Sequence, residues 1–243
     1  MTSHFSSSYP TSRKKVLFFG REGCKYSTNI YNFLHHLNFN VQVVWSNSRA
    51  DSLPEEIYSW QGEYIICLRS YFILSQQLID RASIAAINFH PGPVEYPGSG
   101  CLNWALYDNA KQYGVTVHYM NSKVDNGAVI ECRRFPILPQ DTVSSLLSIT
   151  HQKTNDLAID TLIGLAMEGE KFLERKLQES KNEQWVGNAR KMKEINELKK
   201  IDVFCTRQEL EKIIRATYIF NYPPEIELHG YKFVLKLEEG SVT

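Results

Sequence analysis

Asn88, His90 and Asp125 are the residues whose types and spacing could do chemistry. The first two sit in I-N-F-H-P-G-P-V-E-Y-P-G-S-G (Ile87–Gly100), and the third lies in G-V-T-V-H-Y-M-N-S-K-V-D-N-G-A-V-I (Gly114–Ile130). A carboxylate beside an imidazole favours the charged ring, so a histidine so placed becomes a stronger proton acceptor. An asparagine amide offers two N–H donors to negative charge growing on a carbonyl oxygen. A donor, a base and an orienting acid suit acyl-type transfer to an amine or hydroxyl. With no activated nucleophile nearby, the acceptor attacks directly. From spacing alone a second reading stays open, in which Asn88 and His90 cap a strand end and Asp125 fixes a turn. His118 reads as a packed or supporting histidine. Cys101, in G-S-G-C, reads as a small residue in a glycine-rich loop and not as a nucleophile.

The elements that must position these residues follow from hydrophobic periodicity. Short apolar runs at Lys15–Gly20, Val41–Trp45, Glu63–Leu68 and Ile84–Phe89 read as strands. Between them, Ile30, Phe33, Leu34 and Leu37 recur at helical spacing, and a second helical stretch runs through Ile73, Leu74, Leu78 and Ile79. Strands alternating with helices imply βαβ units and an open, mostly parallel, Rossmann-like α/β sheet. Ligands of such sheets sit beyond the carboxyl ends of the strands, where His90 falls. A helix from Leu102 to Ala110, strands at Gly114–Met120 and Ala128–Ile137, and a long helix capped at Asp141-Thr142 complete this part. The tail is more polar. Its capping box Thr206-x-x-Glu209 starts a short helix, and residues 225–237 form a hairpin turning at His229-Gly230, with an apolar face that packs on the body or on a second subunit. The expected division is a flexible leader over 1–14, a catalytic domain over 15–169 and a C-terminal α/β appendage over 170–243.

Composition narrows the function classes. Lys+Arg and Asp+Glu both total 27, so there is no basic surplus of the kind that grips a long nucleic acid. Five scattered cysteines with no C-x-x-C pair argue for reduced thiols in a cytoplasmic protein, without a disulfide framework or a metal site. No apolar run approaches the roughly 18 residues that span a membrane. The first strand is not followed by G-x-G-x-x-G, which disfavours a dinucleotide enzyme.

Asn88-x-His90, the Pro/Gly-rich loop after it and the 17-position run from Gly114 to Ile130 resemble the folate-dependent formyltransferases. The resemblance spans about residues 14–169. It implies 10-formyltetrahydrofolate as donor, Asn88 holding the formyl oxygen, His90 assisting proton removal from the attacking amine, and Asp125 orienting His90. It also implies donor contacts from Ser70, Phe72 and Leu74, with Asp125 facing the pterin from the other side. Ser122 departs from the acidic or apolar residue common in the family. H-P-x-P-x-x-Y-P-G-x-G followed by N-W-A-L-Y is most similar to enzymes acting on dTDP-linked amino sugars, which implies a 3- or 4-amino deoxysugar acceptor and a homodimer. Their glycans include lipopolysaccharide O-antigens. Substrate contacts are then expected from Pro97, Gly98, Gly100 and Asn103. In the tail, Trp185 and Tyr222 would stack and Arg190 and Lys191 would meet the pyrophosphate. The alternatives are a methionyl-tRNA or glycinamide ribonucleotide acceptor, a hydrolase releasing formate, and a non-catalytic binding module.

Overall fold

The computed structural model describes residues 13–237. The expected leader thus lies outside the described residues except for Arg13 and Lys14. The described residues form two compact units that divide between Ala86 and Ile87.

In the first unit, β1 (Lys15–Arg21) pairs in parallel with β2 (Asn40–Ser46) on one side and β3 (Gly62–Leu68) on the other. Val16, Leu17, Phe18 and Phe19 are fully buried, as the continuous apolar run requires of a strand covered on both faces. Helix α1 (Lys25–His36) buries Ile30 and Leu34, one turn apart on one face. Its Ser27 hydroxyl donates to Leu68 O (3.2 Å) and accepts from Arg21 N (3.1 Å), which fixes the helix start to the ends of β1 and β3.

The helix expected through Ile73 to Ile79 is only one turn, α2 (Gln76–Ile79). The Tyr71 and Phe72 amides are taken by the Ser46 and Ser70 hydroxyls (3.0 and 3.2 Å), so no helical turn starts until Ser75 caps Leu78 N. Ile73, expected to pack, is 74% exposed.

Strand β4 (Ala82–His90) runs from the first unit, where the strand order is β2-β1-β3, into the second, where it is β4-β5-β6. Two pairings are antiparallel: β5 (Gln112–Tyr119) with β4, and β6 (Val129–Pro136) with β5. In the second unit, α3 (Cys101–Tyr107) and α4 (Val143–Met167) share a core of Leu102, Ala105, Leu106, Tyr113 and Leu146. Thr142 and Ser145 cap α4 reciprocally.

The charged tail holds two helices that its sparse aliphatics did not announce, α5 (Glu170–Glu179) and α6 (Met192–Leu198). Each buries little of its own, Phe172 and Leu173 in α5 and Ile195 in α6. Helix α7 (Arg207–Thr217) starts where expected, with the Thr206 hydroxyl accepting from Glu209 N (3.2 Å). The hairpin is β7 (Glu225–Leu228) and β8 (Tyr231–Val234), so its second strand stops short of residue 237. His229 and Gly230 both have positive φ (52° and 83°), as a type I′ turn demands. The hairpin is joined to the body at its base, through Ile201 N to Glu225 O (2.8 Å) and Glu225 N to Lys199 O (2.9 Å). On the face expected to be apolar, Phe233 is 56% exposed while Leu235 and Leu237 are half-buried, and Tyr231 beside Phe233 is 72% exposed.

Helices α4 and α5 meet at Gly164, where an added Cβ would lie 2.2 Å from a Phe172 ring carbon. Gly164→Leu should therefore overpack this contact and cost about 1–3 kcal/mol. The denaturation midpoint in guanidinium should fall; an unchanged midpoint would show that the helices part without cost.

Candidate active site

Sheet register brings the polar residues together. Asn88 and His90 are two apart on β4, so their side chains share a face. Asn88 lies opposite His118 on β5 and His90 opposite Thr116. A register irregularity between Val117 and His118 locally re-aims β5 next to this cluster. Past β5, the turn carrying Asp125 takes a left-handed conformation (φ 44°), which aspartate tolerates better than most residues.

The Asp125 carboxylate is the hub. Its Oδ2 lies 3.1 Å from His90 Nδ1 and accepts the Gly98 amide at 2.8 Å, and its Oδ1 lies 3.3 Å from His118 Nε2. The three side chains are almost fully buried, at 8% (Asp125), 3% (His90) and 2% (His118) relative exposure. Burial alone would push the His90 imidazole down, but the Asp125 charge and hydrogen bond overcome it and hold the ring well above the ordinary value. Burial likewise opposes ionisation of Asp125, yet the His90 charge and the hydrogen bonds from His118 and His90 keep its carboxyl well below the carboxylate range.

His90 is a charged ring by geometry as well. Its second nitrogen, Nε2, lies 3.0 Å from Tyr96 O, so both nitrogens face oxygen acceptors and both carry protons. The expectation of a ready proton acceptor is thus revised: in this arrangement His90 is a donor. Cys101, the first residue of α3 and not a loop residue, places its buried thiol against His90, which draws the thiol below its ordinary value despite burial. His118 Nδ1 lies 2.8 Å from Tyr119 O, and its Nε2 lies 3.1 Å from Asn88 Nδ2 and 3.3 Å from Asp125 Oδ1, so the ring stands between the asparagine amide and the carboxylate.

The remaining expected site residues separate into groups. Gly98 (φ 90°) contacts the Asp125 carboxylate, and a Cβ there would lie 2.4 Å from Arg190 backbone atoms. Pro97 is buried, with its carbonyl accepting from Arg190 N (3.1 Å), and Gly100 is the residue before α3. The Asn103 amide donates to Ala216 O (2.6 Å), which ties α3 to α7 and occupies one end of the group expected to meet substrate. The Arg190 guanidinium lies over the Trp104 ring (3.9 Å). Lys191 is the exposed residue before α6, and Tyr222 is 60% exposed with Lys199 Nζ 3.3 Å from its ring centre. Trp185 does not stand out as a platform for a base. Its ring lies edge-on to His90 and His118, and its N–H donates to Gly127 O (2.8 Å). In the first unit, Ser70 and Phe72 are half-buried and Leu74 is buried.

The His90–Asp125 pair makes stability depend on pH in a defined direction. The His90 contribution is fully present below the ordinary imidazole value of 6.5 and is lost as pH rises through its elevated folded value. The Asp125 contribution is present above 3.8 and is lost as pH falls through its depressed folded value. Unfolding free energy should therefore peak between these two ordinary values, and Asp125→Asn should lower and flatten that peak. Denaturant titrations at a series of pH values test it; parallel curves for the two proteins would refute the pairing.

A family model described as "Formyl transferase" matches residues 15–162. Among curated proteins, a methionyl-tRNA formyltransferase of Listeria innocua is 30% identical over 115 residues, covering 47% of this chain and 37% of its own length. The match thus spans little more than a third of that relative. Among solved structures, a sugar N-formyltransferase from a Shewanella species superposes with a TM-score of 0.70 at 18% identity, covering 92% of this chain and 97% of that one. An N-formyltransferase from Helicobacter canadensis, in complex with folinic acid and dTDP-3-aminofucose, gives 0.64 at 18% identity, covering 89% and 85%. These two likenesses are of fold.

Proposed function

The chain belongs to the formyl transferase family, and we propose that it moves a formyl group from 10-formyltetrahydrofolate to the amine of a dTDP-linked 3- or 4-amino deoxysugar. The observation that carries the reading is the buried Asn88–His118–Asp125–His90 network at the carboxyl end of β4. The acceptor class draws support from the Helicobacter canadensis protein, similar in fold and solved with folinic acid and dTDP-3-aminofucose.

The proposed reaction balances as follows. The neutral amine attacks the formyl carbon, a C–N bond forms, and negative charge gathers on the formyl oxygen. The Asn88 amide and the charged His90 ring meet that oxyanion. His90 Nε2, once it leaves Tyr96 O, gives its proton to N10 as the C–N10 bond breaks, and the neutral ring then takes a proton from the new ammonium. His90 thus acts as acid before it acts as base, and Asp125 keeps it charged between turnovers.

The donor is assigned to the segment after β3, with Ser70, Phe72 and Leu74 as its backbone contacts. The fit of that segment to a folate is supported by its irregular course and by the outward Ile73, which offers an apolar surface to a flat ring. Residues 15–169 serve as the catalytic domain. In the 170–243 region, Lys191 is the proposed pyrophosphate contact and Tyr222 the stacking surface for the base. The exposed hairpin face is assigned to a second copy of the chain.

Four measurements test this reading. Incubation with 10-formyltetrahydrofolate and a panel of dTDP-amino sugars should give a product about 28 daltons heavier, the mass of formyl replacing hydrogen. Formylation of initiator tRNA or glycinamide ribonucleotide alone would reassign the acceptor, and formate release without an acceptor would mean hydrolysis. His90→Asn should cut kcat by about 10²–10⁴-fold, and the wild-type rate should fall at both pH extremes, as the amine gains a proton and as His90 loses one. Near-normal turnover of the variant would remove His90 from the chemistry. Gel filtration should give a dimer that Phe233→Asp converts to monomer.

A further inference from the structure

Trp185 lies beyond the region matched by the family model, yet it is built into the polar network. Its ring is edge-to-face with both imidazoles, at 5.5 Å and 75° from His90 and 4.9 Å and 82° from His118. Its indole N–H holds Gly127 O, two residues past Asp125, at 2.8 Å. The segment around it is anchored at several points. The Glu183 carboxylate takes two hydrogen bonds from Arg134 (both 2.7 Å), Val186 N donates to Val94 O (2.9 Å), and Arg190 exchanges backbone bonds with Pro97 and Ser99 (3.1 and 2.8 Å). The same strap therefore grips both the loop after β4 and the Asp125 turn.

We propose that Trp185 is a positioning residue: the strap Glu183–Arg190 lays its indole over His90 and His118, keeps water from their shared carboxylate, and fixes the Asp125 turn through Gly127. Edge-to-face rings at these separations attract. Excluding water strengthens the His90–Asp125 attraction, because Coulomb energy rises as the local dielectric falls. The role goes beyond the formyl-transfer reading and leans on it only for its effect on rate.

The groups that bear on the His90 charge are few. Asp125 faces it from the turn, Cys101 from α3 and His118 from β5, with the Tyr113 phenol beyond Cys101. Trp185→Ala admits water to this set, which weakens both the burial penalty and the Asp125 attraction on His90. Since the attraction dominates in the folded protein, the His90 midpoint should move down toward its ordinary value.

The test is an NMR titration of the His90 ring protons in the full chain, alongside tryptophan emission. In the wild type, emission assigned to Trp185 by difference from Trp185→Phe should rise as the His90 ring loses its charge. Trp185→Ala should lower the His90 midpoint and reduce kcat about tenfold, within the loss that a small misplacement of reacting groups brings. Its KM for the folate donor should hardly change. Trp185→Phe keeps the ring but loses the bond to Gly127, so it should retain the midpoint and lose less rate. This second variant decides the matter if the alanine protein does not fold: a midpoint displaced as far as in Asp125→Asn would overturn the shielding role. An unchanged His90 midpoint in folded Trp185→Ala, or emission flat across the titration, would also overturn the proposal. If no acceptor is formylated by the wild type while the midpoint still shifts, the positioning role stands and the formyl-transfer reading falls.

Discussion

The site depends on one carboxylate having enough donors to remain charged while buried. An isolated ion in a low-dielectric interior is very costly, and it persists only with excellent pairing. Asp125 meets that condition with two imidazoles and a backbone amide, each from a different part of the second unit. Several local features answer to this need. The left-handed backbone at Asp125 aims the carboxylate, the glycine at position 98 lets its amide approach, and the β4–β5 register sets His90 and His118 on one face. Removing any one donor leaves a buried charge short of a partner, so these features stand or fall together.

The frame that carries the candidate site was legible in the sequence for physical reasons. Continuous apolar runs such as K-V-L-F-F-G can only be satisfied by burial on both faces, and β1 is buried so. A Thr142 cap followed by a long periodic run gave α4, and a histidine–glycine pair between two short apolar runs gave a type I′ hairpin. Both are local signals, written within a few residues of the feature they specify.

What was not legible depends on contacts between distant residues. The stretch Tyr71–Ser75 has helical periodicity, but hydroxyls at Ser46 and Ser70 take the amides that a helix would use. Helices α5 and α6 bury one or two residues each, too few to leave a periodic trace. Trp185, an aromatic among charges, reads as a surface platform; its contacts to Gly127, His90 and His118 cross between 58 and 95 positions of sequence, the latter figure being 185 minus 90. Asn103 stands in a motif read as a substrate contact, and its amide is used to hold α7. No pattern within a short window encodes any of these.

The protonation state of His90 shows how this long-range structure changes the chemistry. From sequence, a histidine beside an aspartate is a base in waiting. In the folded chain Tyr96 O takes the other nitrogen, and the ring becomes a cation with both protons engaged. A cation cannot begin a reaction by accepting a proton, but it can stabilise an oxyanion from the moment one forms. It can also supply the proton that a poor nitrogen leaving group needs. Direct transfer from one amine to another requires those two services before it requires a base. In the proposed formyl transfer, the carboxylate that holds His90 charged and the indole packed against it thereby set the order of proton movements and not merely the position of the histidine.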